Sequence, residues 1–538
     1  MTTSTSNASA PPRPAADDAT RDHAATSGRD GGAGAGRGGD GGDDAARSSA
    51  VVMPHEPTRA SRLVILVLLA AVVLSALAFG TVHPWAIGVF AAGACLVAVL
   101  WAWDAFASRA LRVSRSLLQL PLAGLFVVGL VQLTSWGANS TGTDAGGLSV
   151  APARTISLDP FSTRIALVQI GALLIYFAAA LVFIDSPKRL RAVVRALMIF
   201  GAALALFSLL QFFLNPTQIY WVRQPAQAMP FGPFVNRHHF AGYMELMIGL
   251  PLGLLLTGAV KKDLLPLYLF AALIMAIALV ATGSRGGMLS LTAEVLFLIA
   301  VAAFARVRRA ARKDAAAGES SSSSGARGAL ARAGLQLAFA AVLLVGVLLY
   351  IGEGLLSHTL SAFLSDNVTT NRVLFWQGAK EIIAEHPWIG AGLGSFGVAF
   401  TRHDPLNGVA RLEQAHNDYL QVLSDAGAVG GLLALVFLVA FLRGAFARVT
   451  SYDKFRRGVA VGALGGCAGI LVHSFFDFPL HMTSTALLFL VFAALATLDS
   501  RVEEHAGTRR RHRRRSHHTQ DAVAATAAHK EAREEVAA

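Results

Sequence analysis

Charge is scarce in this chain. Of 538 residues only 15% are Asp, Glu, Lys or Arg, against about 25% in soluble globular proteins. With a mean hydropathy of +0.52, that shortage excludes an ordinary soluble domain. Cysteine is scarcer still. Cys95 and Cys467 lie far apart, each inside an apolar run, so no disulfide framework or metal motif follows, and both read as small buried hydrophobes. The alternating segments of about ten residues that build a membrane β-barrel are missing. The formal net charge of +12 does not call for nucleic acid, because lysine and arginine collect on the cytoplasmic side of membrane proteins. Residues 1–60 lack the basic–apolar–small layout of a cleaved signal peptide and read as a disordered cytoplasmic tail rich in Ala, Gly, Asp, Ser and Arg.

What is present is a series of apolar runs, each long enough to cross about 30 Å of hydrocarbon. The expected fold is all-α, a polytopic membrane protein with about twelve spans, near 63–79, 85–102, 117–134, 162–184, 192–213, 239–258, 264–282, 287–305, 334–352, 427–442, 458–475 and 481–498. Alternate short connections carry the basic residues: Arg109, Arg112 and Arg115; Lys188 to Arg195; Lys261 and Lys262; Arg306 to Lys313; Arg443 to Arg457. These should be cytoplasmic, which puts both termini inside. Two long connections, 214–238 and 353–426, then fall on the periplasmic side, the larger between the ninth and tenth spans. The expected division is a tail over 1–60, a membrane domain over 61–500, and a basic tail over 501–538 whose Arg509–Arg515 run could touch anionic lipid or simply be solvated. The serine run at 319–325 marks a flexible linker within 306–333. Within the large loop, Asn371–Glu385 has helical spacing, with Val373, Trp376, Ile382 and Ile383 toward one side, and Pro387 ends it. Trp376 and Trp388 would sit at headgroup level.

Polar clusters that lipid packing does not require recur at one bilayer edge: Asn236-Arg237-His238-His239, Ser284-Arg285-Gly286-Gly287, Ala415-His416-Asn417-Asp418-Tyr419, and Asp477. Arg285, pinned between two short spans, either snorkels to headgroups or joins the turn's amides in an anion site. Arg237 is either an interfacial anchor or a second phosphate-binding arginine. Two arginines at one cavity would suit a ligand with more than one negative charge, such as a polyprenyl diphosphate. His416, an imidazole with an ordinary pKa of about 6.5, is placed to be a general base, or else merely precedes a helix capped by Asn417 or Asp418. Adjacent His238 and His239 cannot share one helical face and no further ligand pattern accompanies them, so no metal site is expected. Gly390-Ala391-Gly392-Leu393-Gly394 has no strand before it and reads as a flexible hinge rather than a nucleotide loop. The spans are otherwise poor in midplane charge, which argues against a transporter.

These pieces, in this order across roughly 230–480, resemble the O-antigen ligase and polymerase superfamily of bacterial membrane glycosyltransferases. They are Gly232 through Tyr243, Thr282 through Gly287, Asn371-Arg372 through Trp376, Glu385 through Gly392, and His416 through Leu420 followed by Gly427 and Gly430. The resemblance implies a helical, GT-C-like enzyme of the inner membrane with a periplasmic loop over its cavity. It implies transfer of glycan from an undecaprenyl-diphosphate carrier to an acceptor hydroxyl, with no cofactor or metal. The acceptor would be lipid A-core for a ligase, a second lipid-linked glycan for a polymerase, or a protein. The resemblance assigns Arg285 and Arg237 to the diphosphate and His416 to the acceptor. Asn236, His239, Arg372, Asn417 and Asp477 are expected to bind or orient substrate. The family often carries a second asparagine or lysine where His238-His239 stands here. A lipid-linked sugar flippase is the rival from another class.

Overall fold

A computed structural model describes residues 58–135, 155–225, 228–317, 366–404 and 412–503. All of these belong to one compact unit, Glu56–Ala538. The helices are α1 (Arg59–Leu77), α2 (Pro84–Ser108), α3 (Gln119–Gln132), α4 (Pro160–Phe183), α5 (Pro187–Leu214), α6 (Arg237–Leu256), α7 (Leu265–Ala281), α8 (Arg285–Ala317), α9 (Asp366–Glu385), α10 (Phe396–Phe400), α11 (Asp418–Arg448), α12 (Lys454–His473) and α13 (Thr483–Thr497). Among the described residues, β-structure is limited to two isolated bridges, Ile219 with Arg223 and Phe231 with Phe234.

Nine of the described helical segments are long and apolar enough to cross a membrane, while α3 and α13 are shorter apolar helices. The expected spans at 117–134 and 481–498 correspond to those two. The span at 334–352, the serine run and nearly all of both tails lie outside the described residues. Residues 306–317, expected to open a flexible linker, instead continue α8.

Helix starts follow their capping residues. Thr58, Asp159, Ser186, Asn236, Asn417 and Asp453 each accept backbone N–H bonds at the amino end of a helix. Proline occupies the first turn of α2, α4 and α5, where its missing N–H costs nothing.

The centre of the bundle is α6 against α12. Their apolar windows are 83% and 78% buried, compared with 28% for α2 and α7, which face outward. Glycines make the contact. Gly249 and Gly253 on α6 meet Gly458, Gly462 and Gly466 on α12 so closely that a Cβ on Gly462 would lie 2.4 Å from the Gly249 carbonyl oxygen. Small residues at a spacing of four let two backbones touch, which is how helices associate where the lipid is as apolar as the side chains. Gly462→Leu should therefore sharply reduce the yield of folded protein, read as monodisperse material after detergent extraction, whereas Gly88→Leu, with open space around it, should not.

The connection expected to be a loop up to residue 426 is helical from Asp418. Its helix α11 breaks at Gly427, whose φ of 62° and ψ of −159° are open to glycine but not to other residues. The break admits the chain at 387–394: Ala428 and Val429 donate to the carbonyls of Pro387 and Trp388. The glycine run there is no hinge. Ala391 and Gly392 donate to Ser424 and Asp425. Gly394 donates to the Asp425 carboxylate and Leu393 to Gln132, while the Gln132 amide donates to Ile389 and Asp425. α9 buries Ala379 and Ile382, with Phe375, against Phe396 and Phe400. Val373, expected on the same side as Ile382, is exposed while Ile382 is buried, because the inward stripe runs through 375, 379 and 382. Trp388 is exposed, while Cys95 faces outward and only Cys467 is buried.

Candidate active site

Three helix starts and one turn meet at one end of the bundle. Asn236 caps α6 by accepting from the His238 amide at 2.9 Å, which makes Arg237 the first helical residue. Gly283, with φ of 64°, turns the chain between α7 and α8. Ser284 then accepts from the Gly287 amide at 3.2 Å, so Arg285 and Gly286 form the first turn of α8. Asn417 caps α11 by accepting from Tyr419 and Leu420. Its amide donates to the Phe475 carbonyl, and the Asp418 amide donates to Ser474. These two bonds tie the start of α11 to the turn that follows α12.

His416 lies just before that cap with φ of 50°, a left-handed conformation uncommon for histidine. Such strain persists only where the surroundings hold it, and it gathers at functional sites. Here Nδ1 lies 3.1 Å from Asp477 Oδ1, and the imidazole packs edge-on against Phe478 at 4.9 Å. Nδ1 thus carries the proton and Nε2 is left as the open nitrogen. Asp477 is buried and its Oδ1 also accepts from the Phe478 amide. Burial alone would raise its carboxyl, but the His416 bond and the charges of His239, His416 and His238 outweigh it and hold Asp477 well below the usual carboxylate range. The residue is a fixed anion.

The basic groups converge on the same place. The Arg237 guanidinium lies over Gly283, with Nη1 3.5 Å from where a Cβ would be, and it interacts with Arg285 as a like charge. His238 donates to or accepts from Ser284 at 2.8 Å and sits within the fields of Arg237, Arg372 and Asp477. Arg237, Arg285 and Arg372 are half-buried, and none of their guanidinium groups has an acidic partner or hydrogen bond among the described residues. His239 is buried, packs edge-on against Phe478 at 4.9 Å as well, and its Nε2 has no partner among the described residues. Asp477 Oδ2 is likewise unpartnered. Buried polar atoms are almost always satisfied, so two orphans in one cluster of cations mark a place where a ligand or ordered water completes the bonding. No set of three His, Cys, Asp or Glu among the described residues has metal-binding geometry.

All eight residues singled out from the sequence therefore lie at this end. Asn236 and Asn417 spend their carbonyl oxygens on helix caps. Two His–carboxylate pairs were not foreseen. His481 bonds Asp418, which also accepts from Ser474 and the Leu480 amide. His473 bonds Glu245. The signal for the second was legible, since Glu245 and Glu294 are carboxylates inside apolar spans, so the spans are not devoid of midplane charge.

The His481 pair has a pH consequence. Burial lowers this imidazole's pKa, but the Asp418 bond and the Asp425 charge outweigh it, so the net value is raised. Its stabilising contribution is then fully present below the unfolded value of 6.5 and is lost as pH rises through the folded value. The thermal-stability advantage of the wild type over His481→Phe should shrink as pH rises above about 6.5, measured by scanning fluorimetry in detergent.

No curated protein matches the chain. Residues 270–435 match the family described as O-antigen ligase. This segment carries Arg285, Arg372, His416 and Asn417, and over it the chain is similar to the O-antigen ligase family.

Proposed function

We propose that the protein is a ligase-type membrane glycosyltransferase that moves glycan from an undecaprenyl-diphosphate carrier to an acceptor hydroxyl at the periplasmic face of the inner membrane. The observation that carries this reading is the meeting of an oriented imidazole, His416 on Asp477, with three arginines that have no carboxylate of their own. The arginines await an anion; the imidazole awaits a proton.

In the reaction, Asp477 holds the Nδ1 proton of His416 so that the Nε2 lone pair faces the acceptor hydroxyl. Nε2 takes the hydroxyl proton as the acceptor oxygen bonds to the anomeric carbon. The bond from that carbon to the phosphate oxygen breaks, and undecaprenyl diphosphate leaves with the electron pair. Arg237 and Arg285 stabilise the charge that grows on the leaving diphosphate, where fixed cations in a site of low dielectric act most strongly. Arg372, whose charge also reaches His238, is assigned to the sugar or the distal phosphate. Asp477, first read as a substrate contact, fits the role of orienting His416, although its free Oδ2 can still meet a sugar hydroxyl. His239 offers Nε2 to the same space.

A single displacement inverts the anomeric carbon. Product from an α-linked lipid donor should be β-linked by proton NMR coupling constants; an α-linked product means a double displacement and sinks the mechanism. The superfamily match leaves the acceptor open, and lipid A-core, a second lipid-linked glycan and a protein hydroxyl are the three to compare. Transport of the lipid-linked sugar is the second reading, and Glu245 and Glu294 inside the spans are the observation in its favour. Against it, the remaining site groups gather at one end of the bundle, as one-sided chemistry requires.

A further inference from the structure

His473 closes α12 and is 1% exposed, yet it is an ionisable group packed against Gly286, the residue after Arg285. Its Nδ1 lies 2.8 Å from Glu245 Oε1, and both residues are buried. Its other nitrogen points at the amino end of α8: a Cβ on Gly286 would lie 3.3 Å from Nε2. Gly286 follows Arg285, so Nε2 looks into the first turn that presents Arg285. His473 also lies within the field of His238. Nε2 has no hydrogen-bond partner among the described residues.

We infer that His473 is a further donor to the leaving diphosphate, presenting Nε2–H beside Arg285 while Glu245 fixes its ring. The inference rests on the proposed glycosyl transfer. Charge decides which protons the pair holds. A neutral imidazole beside an ionised Glu245 would leave a net negative charge inside the membrane, next to a second buried carboxyl, Glu294, whose two oxygens lack partners. That arrangement is costly where water cannot reach. The pair that is neutral as a whole holds one proton between Nδ1 and Glu245 and another on Nε2. Whichever way the shared proton lies, Nε2 carries a hydrogen and is a donor. Glycine at 286 is what leaves the way open, because any larger residue would put a methyl or more against the ring.

The test exploits two amides. The side-chain nitrogen of asparagine falls near the imidazole Nδ1 and that of glutamine near Nε2. His473→Asn therefore keeps the contact to Glu245 and loses the donor to the ligand, whereas His473→Gln does the reverse. Binding of undecaprenyl diphosphate and of undecaprenyl monophosphate would be measured on the full chain in nanodiscs. The expected result is a loss of about tenfold or more in diphosphate affinity for His473→Asn, the size of one charge-assisted hydrogen bond, with His473→Gln within about threefold of wild type. A purely structural role predicts the opposite order, because His473→Asn preserves the buried contact; that order, or equal affinity in all three proteins, overturns the inference while leaving the transfer reading intact. A wild type with no preference for the diphosphate overturns both. Should the two variants fail to fold, Gly286→Ala screens Nε2 from the ligand, and unchanged diphosphate affinity there counts equally against the inference.

Discussion

His416→Ala should lower the rate of glycan transfer by about 10²- to 10⁴-fold, the usual contribution of a positioned general base. The loss should fall on kcat, with donor binding nearly unchanged, because the imidazole meets the acceptor and not the diphosphate. The fold should survive. His416 precedes the helix it introduces, and the cap of α11 is made by Asn417. The left-handed conformation at φ of 50° strains through Cβ, which alanine keeps, so the substitution leaves the backbone cost as it is. Asp477→Asn is the companion variant. Its amide can donate to Nδ1, which would put the ring proton on Nε2 and turn the base away from its task. A loss approaching that of His416→Ala with intact folding marks Asp477 as the orienting carboxylate. Full activity in the asparagine variant would return it to the role of a simple sugar contact.

Arg285→Ala and Arg237→Ala carry the second large effect. Each should reduce kcat/KM by about 10²- to 10³-fold, as when one preorganised donor to a developing anion is lost. Both arginines hold the same ligand, so the double variant should lose less than the product of the two single losses. Lysine should recover part of the rate at either position, because it keeps the charge but not the planar fork. The free protein offers a complementary reading. With two like charges side by side and no carboxylate between them, Arg285→Ala should slightly stabilise the empty protein while it disables the enzyme. Loss of stability together with loss of activity would instead point to a structural arginine.

The sequence discloses this site better than the frame that holds it, and the reason is physical. Polar groups in an apolar chain are conspicuous, so His416, Arg285, Arg237 and Asp477 stand out by composition alone, and spans longer than their membrane-crossing minimum are plain from their apolar length. Pairing is another matter. Nothing in one sequence says that Asp477 reaches back across sixty residues to His416, or that Glu245 on α6 reaches His473 on α12. Those contacts depend on how α6 and α12 cross, and the crossing is set by glycines whose spacing is visible but whose partners are not. The glycine run at 390–394 misleads for a related reason. In isolation it reads as freedom; in the fold its positive φ values and missing Cβ atoms let it lie against Asp425 and Ala426, where Gln132 and Asp425 hold it fast. The cap of α11 at Asn417 is legible, but its run into the span is not, because Asp418 through Ala426 is too polar to read as membrane span.

The most direct test follows undecaprenyl diphosphate. Purified protein in liposomes would be given undecaprenyl-diphosphate-linked glycan and, separately, lipid A-core, a second lipid-linked glycan and a peptide acceptor. Release of free undecaprenyl diphosphate would be measured with the mass of the glycan product. The account predicts release in step with transfer to one acceptor, and release slowed about a hundredfold or more by His416→Ala and by Arg285→Ala. No release with any acceptor, together with movement of labelled lipid from one leaflet to the other, would contradict it and make the protein a transporter.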